Sequence, residues 1–234
     1  MSYSGLGYYQ PTPPPKPDRR PLWIALSVLG VLLVAGGVVT AVLLDQDSSP
    51  SAGGGPTTTS AQPAKQTKWQ TIEDTQAGVS YELPESWEVS GGGVAAGVRL
   101  TKSAVSRPFE CQGRNMIQAQ IGSGSVTSTA PADVATEVAQ AIAKGGYTVD
   151  RKEPRLGEPK VESDGDDKAV VSVKAEPVAV NPCFSPKATV TAVAMRAGSK
   201  VSVVVLNVAE GGPHVAEGPS ADEVKHILES VQKL

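Results

Sequence analysis

Few residues in this 234-residue chain could carry out acid–base or nucleophilic chemistry, since it holds only two histidines and two cysteines. His214 lies in the loop-like run Gly-Gly-Pro-His-Val, and His226 lies on a predicted C-terminal helix, away from its apolar face. The sequence contains no His-Glu-x-x-His zinc motif and no Gly-x-Ser-x-Gly nucleophile elbow. We therefore expect a protein that is not an enzyme and that holds no metal or cofactor. The alternative is a hydrolase whose site assembles from scattered polar residues.

Four carboxylates gather in the segment 162–167, which carries Glu162, Asp164, Asp166 and Asp167. Oxygen ligands of this kind suit calcium, but the spacing lacks the alternating aspartates and the closing glutamate of a calcium loop. The simpler interpretation is a solvated hairpin tip, with ion binding as the alternative.

Large aromatic residues are scarce, because Phe, Trp and Tyr together make up 4% of the chain. Trp69, Tyr81 and Trp87 follow one another closely at the start of the predicted folded domain. As packing anchors they would supply much of its apolar core. The alternative is that Trp69 and Trp87, together with Tyr81, contact a ligand or a partner.

A transmembrane helix is predicted at residues 22–44, where no charge interrupts 23 mostly apolar positions. A helix of that length spans roughly 34 Å, which is enough to cross the hydrocarbon core of a bilayer. Lys16, Arg19 and Arg20 precede the segment and two aspartates follow it, so we expect a cytoplasmic N-terminus. A cleaved signal peptide is the alternative, but its apolar core would be about 7–15 residues long.

The regions around this helix differ in composition. Residues 1–21 are rich in proline and predict a disordered cytoplasmic tail, and residues 45–67 are rich in Ser, Thr, Gly and Pro and predict a flexible linker. Residues 68–234 then form a domain on the extracytoplasmic side of the cell membrane. The formal net charge of −3 argues against a nucleic-acid partner.

The two cysteines, Cys111 and Cys183, both lie in this extracytoplasmic domain, where disulfides persist. Each follows a proline-containing loop and precedes a predicted strand. A bond between them would close a loop of about 70 residues and stabilise the fold by roughly 4 kcal/mol. We predict this disulfide, with two buried thiols as the alternative.

The domain is predicted to be of the α+β class, with an antiparallel sheet of about six strands and two packed helices. One helix is predicted over 131–144, where Pro131 suits the first turn, and a second begins at the capping box of Ser220 and Glu223. The β-branched run 203–206 predicts a central strand buried on both faces. Alternating apolar residues predict strands at 79–83, 87–89, 98–100, 117–121, 171–175, 187–196 and 200–208.

The chain resembles a family of extracytoplasmic domains of unknown function found in actinobacterial single-pass membrane proteins. The resemblance covers residues 68–234 and is most specific in Gly78-Val-Ser-Tyr81-Glu-Leu-Pro84-x-x-Trp87 with its two later cysteines. The same run is similar, more loosely, to the Mog1/PsbP-like fold, an antiparallel sheet with helices on its faces. The resemblance implies no catalytic residues.

The sequence as a whole indicates a membrane-anchored extracytoplasmic module that binds an envelope protein, a lipid or a glycan. A third hypothesis, besides the hydrolase, is a transmembrane regulator that signals through its Pro-rich tail. The sequence predicts neither the partner nor the oligomeric state.

Overall fold

The computed structural model describes residues 67–95, 97–128, 130–163, 166–178 and 182–234. The predicted tail (1–21), the predicted transmembrane helix (22–44) and residues 45–66 of the predicted linker lie outside the described residues. Within the described ranges, no helix is long and apolar enough to cross a membrane.

The described residues form thirteen strands and two α-helices. A short 3-10 helix, Val215–Glu217, precedes the second α-helix. The elements are β1 (Trp69–Asp74), β2 (Val79–Pro84), β3 (Glu88–Ala95), β4 (Val98–Val105), β5 (Phe109–Cys111), β6 (Arg114–Met116), β7 (Ala119–Val126), α1 (Pro131–Tyr147), β8 (Arg155–Leu156), β9 (Lys160–Ser163), β10 (Lys168–Glu176), β11 (Lys187–Ala197), β12 (Lys200–Glu210), α2 (Ala221–Glu229) and β13 (Gln232–Lys233).

Eight antiparallel strands form the main sheet, in the order β3-β4-β7-β12-β11-β10-β8, and β9 also pairs with β10. Strand β12 lies in the middle, where it pairs with β11 over its whole length and with β7. Val203 and Val205 face one core, whereas Val204 and Leu206 face the other. The predicted central strand, buried on both faces, is therefore confirmed.

Helix α1 covers one face of the main sheet. It begins at Pro131, whose fixed φ suits a first helical position, and it ends at Tyr147 rather than at Gly145-Gly146. Its buried side is narrow and built largely of valine, alanine and isoleucine, so the helix lies close to the valines of β10, β11 and β12. At its end, the Tyr147 hydroxyl donates a hydrogen bond to Asn207 Oδ1 at 2.7 Å.

The other face of the main sheet is covered in part by a three-stranded sheet, in the order β1-β2-β13, and by α2. Val79, Tyr81 and Leu83 of β2 point into this second core, where Ile227 of α2 joins them. The Ser220 side chain accepts from the Glu223 backbone N–H, and the Glu223 carboxylate accepts from the Ser220 N–H. The predicted capping box is therefore confirmed, and it fixes where α2 begins.

The prediction of about six strands is wrong in number, because the described chain has a sheet of eight, a sheet of three and the hairpin β5–β6. The predicted strands are present, apart from shifts at their ends such as Ile117, which lies outside β7. Gly91-Gly92-Gly93 lies within β3. The strands that the sequence does not predict have mostly two to four residues. Such strands are too short to be recognised by alternating apolar side chains.

Candidate functional site

A buried polar cluster joins the small sheet to the main sheet. Asp74, at the end of β1, is 1% exposed, and its Oδ2 accepts from Ser123 Oγ at 2.6 Å and from the hydroxyl of Thr101. Its Oδ1 accepts from the Ala77 backbone N–H at 3.1 Å, which closes the turn between β1 and β2. The Tyr81 hydroxyl lies 3.3 Å from Ser123 Oγ. The cluster thus links β1 and β2 to β4 and β7.

The titration of this cluster follows from its hydrogen bonds. Burial acts to raise the pKa of Asp74, but the donors Ser123, Thr101 and the backbone N–H groups of Ala77 and Gln76 together hold it below the ordinary carboxyl value. Burial raises the pKa of Tyr81. A serine beside a carboxylate could suggest a nucleophile, but Ser123 is fully buried and contacts no histidine in any hydrogen bond described. The arrangement is structural.

A second polar group lies on the surface between β1, β2 and α2. The His226 ring stacks on Trp69 with ring centroids 3.8 Å apart, and His226 Nε2 lies 2.6 Å from Glu82 Oε2. His226 and Glu82 are each about two-fifths exposed. An open polar cleft adjoins the pair and is also lined by Glu229 and Gln232. These contacts hold α2 against the small sheet.

The three aromatic residues predicted as ligand contacts all lie in or against the second core, but they differ in exposure. Trp87 is 5% exposed and Tyr81 is 1% exposed, and both lie in the second core. Trp69 is half-buried and reaches the surface, where it packs against His226. Tyr81 and Trp87 therefore have the packing role that the sequence predicts. A ligand contact at the three residues stays a prediction.

The predicted cysteine pair is joined at one end of the domain. Cys111 and Cys183, 72 residues apart in the chain, form a disulfide with their Cα atoms 5.7 Å apart. It ties the hairpin β5–β6 to the loop before β11. Beside it, the Phe109 ring stacks on His214, and buried Gln118 donates from Nε2 to the His214 carbonyl at 2.9 Å. Both histidines therefore have structural contacts.

An apolar groove of about 360 Å³ lies on the part of the main sheet that α2 leaves uncovered. Its floor is formed by β11 and β12, and its walls by the loop after β12 and the first turn of α2. We call it the apolar groove and define it by its lining residues: Thr189, Thr191, Leu206, Val208, Ala209, Glu210, Gly211, Val215, Pro219, Ala221 and Val224.

The first turn of α2 borders the groove without filling it. The helix has nine residues, of which only Ile227 is buried, and Ala221 and Val224 line the groove. Val215 is 51% exposed on the facing wall. A concave, mostly apolar surface with a few polar groups is the usual form of a binding site. The sequence did not predict this groove, since its lining comes from three segments that the fold brings together.

The described chain begins against the first turn of α2. Thr67 Oγ1 donates to Glu223 Oε1 at 2.9 Å, and Glu223 stands beside Val224, which lines the groove. The chain then continues to Trp69, which contacts His226 one helical turn further along α2.

In the described ranges, no three His, Cys, Asp or Glu residues come together as a metal site. Asp167, at the predicted hairpin tip between β9 and β10, pairs with Arg196 at 3.3 Å. Asp164 lies outside the described residues, so ion binding by segment 162–167 stays untested.

Comparison with known proteins identifies one matching family and several solved structures of low sequence identity. The family model "Domain of unknown function (DUF8017)" matches residues 62–234. No curated protein matches the sequence. The match agrees with the expected resemblance to a family of unknown function, whereas the actinobacterial and membrane parts of that expectation stay predictions.

Two solved structures illustrate the structural likeness. The solution structure of cyanobacterial PsbP (CyanoP) from Synechocystis sp. PCC 6803 is 10% identical, with 75% of this chain and 98% of that chain covered and a TM-score of 0.46. The crystal structure of the Saccharomyces cerevisiae Ran-binding protein Mog1p is 10% identical, with 72% and 96% covered and a TM-score of 0.41.

Proposed function

The chain belongs to the family described as a domain of unknown function (DUF8017). We propose that it is a non-enzymatic binding module, anchored in the cell membrane by residues 22–44 and exposed on the extracytoplasmic side. Its binding site is the apolar groove. The partner is an envelope protein or a lipid that presents apolar groups to the groove.

The location is supported by the sequence and by the disulfide. An uninterrupted apolar segment precedes the domain, and basic residues precede that segment. The bond between Cys111 and Cys183 suits an oxidising compartment, because such bonds are rare where thiols are kept reduced.

The apolar groove is the single observation that carries the binding function. Exposed valine at Val215 and half-buried valines at Val208 and Val224 surround a concave surface that water must fill when nothing is bound. Covering this surface would remove apolar area from water, which favours association by about 25 cal/mol for each Å². Ser123 and Asp74 form the closest serine–carboxylate contact described, and both residues are buried. A substrate would not reach them there, which supports the non-enzymatic part of the proposal.

A photo-crosslinking experiment tests the proposal in living cells. The full chain carries a photoreactive amino acid in place of Val224 in the groove, or of Val94, which is 61% exposed on β3. We expect a defined adduct, identified by mass spectrometry, from position 224 and none from position 94. A second substitution, Val215→Arg, should remove the adduct, since it places a charge on the groove wall.

Two results would contradict the proposal. Equal adducts from both positions would show that contact is not specific to the groove. An absence of any adduct at 224, with the protein present at normal levels in the membrane fraction, would show that the groove binds nothing in the cell.

A further inference from the structure

We propose that the open polar cleft beside His226 and Glu82 binds a primary ammonium group, either of a lysine side chain or of a free amine. The cleft has a volume of about 410 Å³ and lies between β1, β2, α2 and the start of β13. We call it the polar cleft and define it by Thr71, Ser80, Glu82, His226, Glu229 and Gln232. It shares no lining residue with the apolar groove, so the inference does not depend on the proposed function.

The buried hydroxyl of Ser80 is the first observation that points to a ligand. The apolar side chains of β2, from Val79, Tyr81 and Leu83, face the second core. Because successive side chains of a strand alternate, Ser80 and Glu82 face the other side of the small sheet, where the polar cleft lies.

Ser80 is only 3% exposed, yet its hydroxyl has no hydrogen-bond partner among the described residues. The hydroxyl oxygen is also not fully enclosed, so it opens into the cleft that the residue lines. A buried hydroxyl without a partner is costly, and a donor that enters the cleft would remove that cost.

Two carboxylates give the polar cleft its charge. Glu82 and Glu229 both line it, and no lysine or arginine is among its lining residues. Glu82 contacts His226 through Oε2, and no hydrogen bond described uses its Oε1. Glu229 Oε1 lies 3.9 Å from Lys225 Nζ, which is too long for a hydrogen bond. The cleft therefore keeps a net negative charge whether or not His226 is protonated.

Two basic side chains near the small sheet are engaged elsewhere. Lys102 Nζ donates to the Glu73 carbonyl oxygen, and Lys233 Nζ, next to Gln232 in the chain, donates to the Arg196 carbonyl oxygen at 3.1 Å. Neither lysine lines the polar cleft. The negative charge of the cleft is thus left for a ligand to balance.

The acceptors of the polar cleft select the chemistry of that ligand. An ammonium group has three donors and no acceptor, which matches one hydroxyl oxygen and two carboxylates. It is also a compact charge on a slender stem, whereas a guanidinium is a wide planar fork. A group that must reach Ser80, with 3% of its surface exposed, therefore fits better as an ammonium.

Ligand-observed NMR tests the inference on the full chain, purified in detergent. Butylamine is the probe for a free amine, and a capped Ala-Lys-Ala peptide is the probe for a lysine side chain. Tetramethylammonium is the control, because it has the charge but no N–H donor. We expect saturable binding of at least one primary ammonium probe in the millimolar range, since such probes have few non-hydrogen atoms. Tetramethylammonium should bind about fivefold more weakly, the change expected from one hydrogen bond.

The two probes distinguish the source of the ammonium group. A peptide that binds at least as tightly as butylamine assigns a lysine side chain of a protein. A peptide that does not enter, while butylamine binds, assigns a free amine.

Substitutions locate the binding in the polar cleft. Ser80→Ala and Glu229→Gln should each weaken binding about fivefold, as expected from one hydrogen bond or ion pair. Glu137→Gln, which removes an exposed carboxylate from α1, is the matched control and should leave the affinity unchanged. The midpoint of thermal unfolding separates binding from folding. Ser80→Ala should leave this midpoint unchanged or raise it, because the hydroxyl has no partner to lose.

Four results would overturn the inference. The first is that neither primary ammonium probe shows saturable binding. The second is equal binding of tetramethylammonium, which would show attraction by charge alone. The third is that Glu137→Gln weakens binding as much as Ser80→Ala does. The fourth is a lower unfolding midpoint for Ser80→Ala, which would show that its hydroxyl supports the fold. None of these results bears on the apolar groove.

Discussion

Ser123 Oγ lies 2.6 Å from Asp74 Oδ2, and this contact fastens the three-stranded sheet to the eight-stranded sheet. The two residues are 49 positions apart in the chain and are both almost fully buried. A buried carboxylate is costly unless donors surround it, and Asp74 has them from two hydroxyl groups and from the backbone. The cluster therefore fixes the position of the small sheet, on whose edge the domain begins.

Removing the carboxylate should destabilise the domain. Asp74→Ala leaves Ser123 and Thr101 without their acceptor in a buried site, so we expect the free energy of unfolding to fall by roughly 3 kcal/mol. Urea denaturation of residues 62–234 measures it. Ser90→Ala, which removes an exposed hydroxyl pair with Ser103, is the control and should change stability by less than about 0.5 kcal/mol. Equal effects of the two variants would contradict the structural role of Asp74.

The same carboxylate should make stability depend on pH in the acid range. The pKa of Asp74 is held below its ordinary value in the folded state, so its contribution is fully present above the ordinary carboxyl pKa. That contribution is lost as the pH falls through the lower, folded-state pKa. We expect the unfolding free energy of Asp74→Asn to fall less between pH 5 and pH 2 than that of the unsubstituted domain. Parallel curves for the two proteins would contradict the depressed pKa.

Neighbouring glycines of β3 should respond differently to the same substitution. A Cβ on Gly92 would overlap the Leu100 carbonyl of β4, whereas a Cβ on Gly93 would meet nothing within 4 Å. Gly92→Ala should therefore lower the free energy of unfolding by about 1–3 kcal/mol, as overpacking does. Gly93→Ala is the matched control and should be neutral or slightly stabilising. If both cost the same, the strands do not approach as closely as described.

The bond between Cys111 and Cys183 should contribute strongly to stability, because it closes a long loop in the unfolded chain. Replacing both cysteines with alanine should lower the free energy of unfolding by about 4 kcal/mol in the chain-entropy description. Chemical denaturation with and without a reductant measures the effect. The double variant should be insensitive to the reductant, and an unsubstituted domain that is equally insensitive would contradict the prediction.

The central strands and both helices could be predicted from the sequence because their side chains carry the signal. Strand β12 contains a continuous run of valines, which is typical of a strand that is buried on both faces. Ser220 and Glu223 mark the start of α2 through their own hydrogen bonds. In each case the residues that form the element also bury it or cap it.

Strand β1 and the apolar groove could not be predicted in this way. At the end of β1 a charged residue, Asp74, occupies a core-facing position, so the apolar alternation is interrupted where its partners Thr101 and Ser123 arrive from distant strands. The groove lies between the first turn of α2, the loop after β12 and the strands β11 and β12, so its shape depends on packing distances. The turn Asp74-Thr-Gln-Ala-Gly78 was the available signal, since aspartate before glycine is typical of a tight turn.

The central claim is that the domain lies on the extracytoplasmic side of the membrane, and protease treatment of intact cells tests it most directly. Intact cells that make the full chain are treated with an external protease, and fragments are detected with an antibody to residues 67–234, without and with reductant. We predict release of a fragment of that size in which Cys111 and Cys183 resist thiol labelling until they are reduced. A domain that is protected until the cells are lysed, with both thiols labelled at once, would contradict the account.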